Sequence, residues 1–189
     1  MKLFKVLSIV FILLKLSALG ETIIISDPNL ERAIAETAKK KPDDLSSADL
    51  LKIKFLDASS LDIQDLEGIQ ELANLETLII NNNAIDELGP IAGLVNLKRL
   101  EFKENKVEQL EALRELLMLE SLIASDNKVK TIEPISKLTQ ITRLDFSRNE
   151  IVKVDALRFL TQLRVLFLYE NKITNIADLE VLTDLRELY

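Results

Sequence analysis

The sequence predicts an α/β solenoid. Near-identical coils stack so that each adds one short strand to a parallel sheet and returns along a 3₁₀ or irregular leg. Three observations carry this. Asn83, Asn105, Asn127, Asn149 and Asn171 stand 22 residues apart, and apolar residues keep the same phase around each. Leu78 and Ile80 sit two apart, the period of a strand with alternating faces. From Ile85 through Leu88, Ile91, Leu94 and Leu97 the apolar step is three, which suits a tight 3₁₀ path rather than an α-helix. A fixed period of this length marks stacked units, none of which buries its apolar face alone.

Taken in order, residues 1–20 read as a signal peptide. Lys2 and Lys5 precede an apolar run from Val6 to Leu14, and Ala18 and Gly20 suit a cleavage site before Glu21. Lys15 interrupts the run, which is too short to span a bilayer as an uncleaved anchor. Residues 21–53 are expected to form a helical cap over the first coil. In DPNLERAIAETAKK, Asp27 is the N-cap and Pro28 the first helical residue, with Leu30, Ala33, Ile34 and Thr37 as the inner face. Ser46 and Asp49 have the spacing of a capping box for a second, shorter helix.

Residues 54–189 hold about six 22-residue repeats and the start of a seventh. The first runs through Leu56, Ala58, Ile63, Leu66, Ile69, Leu72 and Leu75, with Leu61 in the Asn slot. The last full unit places Ile173, Ile176, Leu179, Leu182 and Leu185 in core slots. The five Asn are expected to form a structural ladder whose amides bond the free backbone groups of adjoining turns. No cap follows the repeats, so a truncated chain is the expectation.

These residues resemble a known family. The unit LETLIINNNAIDELGPIAGLVN is similar to the internalin-type bacterial leucine-rich repeat, and Pro90 and Pro134 fall at the Pro site of that class. LDASSLDIQDLEGIQELANL resembles its first repeat, including Leu61, and the segment from Asp27 resembles its helical N-terminal cap. The resemblance implies a horseshoe with a concave parallel sheet, and a non-enzymatic module that binds a partner protein, in its sharper form a host-cell receptor.

Composition narrows the chemistry. Of 189 residues, 24 are Lys or Arg and 31 Asp or Glu, a net charge of −7, and 48% are hydrophobic. Cleavage after Gly20 removes three Lys and no acid, leaving 21 bases against 31 acids. An acidic surface argues against a nucleic-acid groove. With no His and no Cys there is no Ser-His-Asp triad, imidazole ligand, thiolate site or disulfide. Four Gly form no phosphate-binding string. No enzyme activity, cofactor or metal is expected.

The strand register sets the candidate site. Side chains flanking each buried strand Leu face outward in columns: Asp57, Ile79, Glu101, Ile123, Asp145, Phe167 and Tyr189 in one, with Phe55, Arg99, Arg143 and Val165 on one flank and Lys103, Ser147 and Tyr169 on the other. The candidate partner-binding set is Phe55, Ile79, Arg99, Glu101, Lys103, Ile123, Arg143, Asp145, Val165, Phe167, Tyr169 and Tyr189. Phe55, Phe167, Tyr169 and Tyr189 read as an exposed aromatic cluster suited to a hot spot. A competing reading has these rings pack against a further C-terminal segment. The mixed charges are expected to pair laterally between strands.

The leading expectation is an exported, non-enzymatic, monomeric module, secreted or at the cell surface, that holds one protein partner and inserts in no membrane after cleavage. LFLYENKITNIADLEVLTDLRELY also resembles the leucine-rich regulatory subunit of type-1 protein phosphatase, an intracellular scaffold. The leader separates these readings.

Overall fold

The computed structural model describes residues 23–189; the expected leader lies outside them. Seven short strands form one parallel sheet in chain order: β1 Phe55–Asp57, β2 Thr77–Ile79, β3 Arg99–Glu101, β4 Ser121–Ile123, β5 Arg143–Asp145, β6 Val165–Phe167 and β7 Glu187–Leu188. The register advances by 22 residues at each step. Leu56 pairs with Leu78, and the row continues through Leu100, Leu122, Leu144, Leu166 and Leu188. From Leu56 to Leu166 these leucines are wholly buried. Three residues are too few for an independent strand, so each depends on its neighbours and on the core beneath.

Each coil returns through a 3₁₀ turn, at Ile69–Glu71, Gly89–Ile91, Glu111–Leu113, Glu133–Ile135, Asp155–Phe159 and Ala177–Val181. The step of three keeps Ile85, Leu88, Ile91, Leu94 and Leu97 on one inward line, and all five are buried. Pro90 and Pro134 sit at the start of their turns, where the missing N–H goes uncalled. Phe102 and Phe146 are fully buried on either side of the small Ala124 in one column. The solenoid therefore has a parallel concave sheet and a convex wall of 3₁₀ turns. At the end of the described chain, Ile173 and Leu185 are half-buried and Ile176 is exposed, against the expected core slots, because no later coil among the described residues covers them.

The asparagines bind coil to coil. Asn105 Nδ2 donates to Ile80 O of the preceding coil at 2.9 Å and to Phe102 O of its own at 3.0 Å, while its Oδ1 accepts from Ile85 N at 3.0 Å. Asn127 repeats this on Phe102 O, Ala124 O and Val107 N. Asn149 does so on Ala124 O, Phe146 O and Val129 N, and Asn171 on Phe146 O, Leu168 O and Ile151 N. Asn83 serves the first coil, donating to Ala58 O and accepting from Leu61 N and Ile63 N. Only a short amide offers donors and an acceptor at this reach.

Before each Asn the chain passes through the left-handed region. Asn82, Glu104, Asp126, Arg148 and Glu170 have φ of +51°, +55°, +56°, +53° and +56°. None is Gly, and Glu104, Arg148 and Glu170, which lack the tolerance of Asn and Asp for this region, each carry a steric cost of roughly 1–2 kcal/mol. Cross-coil bonds offset it: Glu104 N donates to Ser125 O at 2.9 Å and Arg148 N to Tyr169 O at 2.8 Å.

The N-terminal end is closed by a helix, Pro28–Ala38, and a shorter one, Ser47–Leu50. Leu30, Ala33, Ile34 and Ala35 are buried, whereas Thr37 is exposed and spends its hydroxyl on Ala33 O at 2.8 Å. The capping box at Ser46 does not close: its hydroxyl donates to the Asp49 carboxylate rather than satisfying a backbone N–H, and Lys40 reaches the same carboxylate at 2.6 Å. Asp27 does more than cap. Its Oδ1 accepts from Asn29 N and Leu30 N, and its Oδ2 accepts from Gln64 N in the first repeat at 2.9 Å. Burial pushes its carboxyl upward, but the backbone donors outweigh that and hold it below the usual value. Gly68 lets the chain entering the helix lie against the first repeat: its φ is +102°, and a Cβ there would stand 2.6 Å from Ile24 O.

Asn127→Ala should cost about 1–3 kcal/mol, because the buried backbone groups it serves lose their partners. Asn82→Ala, which removes an exposed contact with the Ser60 hydroxyl and the ease with which Asn adopts the left-handed region, should cost less. Urea midpoints of the two variants decide this; equal midpoints would contradict it. Asp27 generates a pH dependence. Its depressed folded value means its stabilisation is complete above about 3.8 and lost as the pH falls through the lower folded value. Asp27→Asn should lower the melting temperature at neutral pH and flatten the decline below pH 4. A variant that melts like the parent across that range would refute the role.

Candidate functional site

Alternation in three-residue strands leaves one outer surface, and the register gathers the candidate residues there. One row runs Phe55, Thr77, Arg99, Ser121, Arg143, Val165, and the next Asp57, Ile79, Glu101, Ile123, Asp145, Phe167. Lys103 and Tyr169 lie just past β3 and β6. Ile79, Ile123 and Val165 are half-buried on this face, so the sheet is not wholly polar.

Its β6–β7 end is aromatic. Phe167 and Tyr189 stack with ring centroids 4.8 Å apart and planes 6° from parallel. The Arg143 guanidinium lies 5.3 Å over the Phe167 ring, and that of Arg148 lies 5.8 Å over Tyr169. Tyr169 and Tyr189 remain 43% and 60% exposed. The expected four-ring cluster is a three-ring cluster. Phe55 is 54% exposed but stands in β1, five strand spacings or roughly 24 Å from β6. A sheet that adds one strand per repeat keeps residues of distant repeats apart.

The middle of the face is a shallow concavity of about 590 Å³ with mixed charge, lined by the cations Arg99, Lys103 and Arg143 and the carboxylates Glu101, Glu104, Asp126 and Asp145. Glu101 lines this concavity but is only 9% exposed. It folds down to accept from Arg99 Nε at 2.8 Å and Asn81 Nδ2 at 3.0 Å, leaving little of it for a partner. Asp145 is similarly engaged, accepting from Ser147 N at 3.0 Å and Ser147 Oγ at 2.6 Å, with Ser147 itself fully buried.

Lateral pairing of the face charges is realised mainly on its flanks. Glu76 bridges Lys54 and Lys98, each at 2.8 Å, and these two lysines, Lys54 first, hold its carboxyl at about 2. Arg148 bridges Asp126 at 3.5 Å and Glu170 at 3.1 Å along the rim. Asp126 and Glu170 did not stand out as face residues in the sequence; their position immediately before each ladder Asn is the signal that finds them. Exposed pairs of this kind add little to stability and more to solubility and orientation.

Among the described residues, no group of three or more Asp, Glu, His or Cys is placed to hold a metal ion, and no helix is long and apolar enough to cross a membrane. The arrangement offers a broad surface with one aromatic end and one depression of mixed charge, suited to contact with a macromolecule.

The family model for leucine-rich repeats in two copies matches residues 73–115. Comparison with curated proteins finds no match. Among solved structures, the chain is similar to an internalin (inlF) of Listeria monocytogenes, with 26% identity and a TM-score of 0.71 over 87% of this chain. It spans 56% of that structure's chain. Internalin C2 of the same organism shares the fold at 23% identity and a TM-score of 0.64, over 88% of this chain and 94% of its own. A leucine-rich-repeat protein of Leptospira interrogans matches at 25% identity and a TM-score of 0.61, over 68% of this chain and 36% of its own. The fold is typical of protein–protein interaction modules. By repeat length, parallel sheet and 3₁₀ returns, the chain has a leucine-rich-repeat fold similar to that of the internalins.

Proposed function

We propose that this is an exported, non-enzymatic binding module that holds a partner protein, in the sharper form a host-cell surface receptor, on its concave face. The observation that carries the reading is the exposed aromatic end of that face, where Phe167, Tyr169 and Tyr189 stand beside Arg143 and Arg148. Aromatic and arginine side chains dominate interface hot spots because they bury large area with little loss of rotamer freedom. Monomeric proteins seldom leave such groups clustered in the open without use. Export rests on the basic and apolar pattern of residues 1–20 and the small residues before Glu21.

The double change Phe167→Ser with Tyr169→Ser should abolish capture of host-surface protein while leaving the melting temperature nearly unchanged, since Tyr169 and much of the Phe167–Tyr189 stack lie outside the core. Truncating one such anchor commonly costs ~2 kcal/mol or more of binding. If melting fell and capture survived, the rings would be structural and this reading would fail. Material recovered outside the cell should begin at Glu21 by mass spectrometry; intact Met1 retained inside it would refute export.

A further inference from the structure

The flank of the solenoid beside the strand starts carries an apolar stripe that the fold does not require. One slot recurs every 22 residues as Leu51, Ala73, Val95, Leu117, Thr139, Thr161 and Thr183, and every one of these is exposed. Threonine fills the slot in the last three coils without burial, so the core does not call for apolar residues there. Asn74 Nδ2 donates to Leu51 O at 2.8 Å and Asn96 Nδ2 to Ala73 O at 2.9 Å, which holds successive turns in one phase. The four apolar residues are therefore lateral neighbours, and the exposed Met118 widens the stripe beside Leu117. From Leu51 to Leu117 it covers three coil spacings, roughly 14 Å.

Beside the stripe runs a row of alternating charge. Glu76 N donates to Lys54 O, Lys98 N to Glu76 O and Glu120 N to Lys98 O, each at 2.8 Å, so these four residues also stand in line. Glu76 bridges both lysines. Among the described residues, no Lys or Arg nitrogen lies within 4.0 Å of the Glu120 carboxylate. Two lysines thus share one carboxylate, and a second carboxylate is left over. A shallow groove of about 430 Å³ lies along this row, with Asn74, Asn96 and Met118 in its lining.

Row and stripe are complementary to themselves on reversal. Read from the other end, plus–minus–plus–minus becomes its own complement. A two-fold axis lying across the flank between β2 and β3 therefore sets Lys54 against Glu120 of a second copy, and Glu76 against its Lys98. The same rotation sets Leu51 against Leu117 and the small Ala73 against Val95. Asn74 meets Asn96, two amides able to exchange hydrogen bonds. The acids beyond the stripe do not obstruct this: Glu71 meets Gly93, and Glu115 comes toward the Lys40–Asp49–Lys52 cluster, where two lysines hold one carboxylate. Such reciprocity, in which residue i meets j and j meets i, is what a two-fold contact demands.

We infer that two copies of this chain associate through this flank about a two-fold axis between β2 and β3, in place of the monomer expected from the sequence. The inference goes beyond the concave-face reading and does not depend on it, because the flank lies beside the sheet and leaves both concave faces open. Four coils make a small contact, and a net charge of −7 on each chain opposes association. The dimer is accordingly weak, with a Kd on the order of 10–100 µM.

The test is sedimentation equilibrium of the full chain up to about 200 µM, where the parent should show a monomer–dimer equilibrium. Val95→Lys/Leu117→Lys alters only exposed positions and should melt like the parent while weakening association at least tenfold. Lys54→Glu sets two acids opposite each other at both ends of the contact, and Glu120→Lys sets two lysines there. Each alone should weaken association about tenfold or more. Mixed in equal amounts, these two variants regain opposite charges at both ends and should associate like the parent. Lys54 and Glu120 of one chain stand roughly 14 Å apart, too far to pair, so recovery can arise only between chains. A parent that stays monomeric at about 200 µM overturns the inference. So does a dimer indifferent to Val95→Lys/Leu117→Lys, or a mixture that associates no better than its components. A dimer lost instead with Phe167→Ser/Tyr169→Ser places the contact at the aromatic end and refutes this interface.

Discussion

The structure depends on a hydrogen-bonding constraint: a 22-residue coil has backbone groups at its turns that it cannot satisfy from within. Three-residue strands satisfy their neighbours across the sheet, but the chain leaving each strand bends through a left-handed residue and exposes carbonyls to the interior. Buried and unpaired, such groups cost more than most single contacts contribute. The Asn amide answers this by donating into two successive coils and accepting from the return leg. The same amide that closes one coil fastens it to the one before.

From this follows a division of labour among the residues. The strand Leu, the Asn and the step-of-three aliphatics are bound to their types by burial and bonding, and they repeat with little variation from β2 to β6. The side chains flanking the strand Leu lie outside the main core and the ladder and are freer to differ, Glu101 being the one drawn into a buried network. Their differences are not scattered. Ser121 and Ile123 make β4 neutral, an arginine and a carboxylate stand together on each of β3 and β5, and aromatics gather at β6 and β7. A repeat architecture turns a one-dimensional list of such choices into a two-dimensional surface, because residues 22 apart in sequence become lateral neighbours.

For the same reason much of the fold was legible in the sequence. The spacing of Asn83 to Asn171 reveals the coil length, the Leu78/Ile80 pair the strand, and the step from Ile85 the 3₁₀ return. What stayed hidden depends on where a flexible or small side chain goes once the backbone is placed. Periodicity puts Glu101 on the outer face, yet Arg99 and Asn81 draw its carboxylate down into a buried network. The left-handed residues were not visible because Glu104 and Arg148 have no preference for that region; cross-coil bonds impose it. Asp27 reads locally as an N-cap, and its bond to Gln64, 37 residues away, has no local signature. Phe55 shares a row with Val165 but not a neighbourhood, a distinction that composition alone does not draw.

The account's central claim is that the coils are held as one bonded array, and native-state hydrogen exchange of backbone amides measures this most directly. The N–H groups of Ile85, Val107 and Val129, each accepted by the Asn of the next coil, should be among the most protected in the chain. They should exchange together, near the free energy of global unfolding, with protection declining toward Ile151 and the β7 end. Asn-bonded amides that exchange independently, coil by coil, and no more slowly than the exposed return legs would contradict the account.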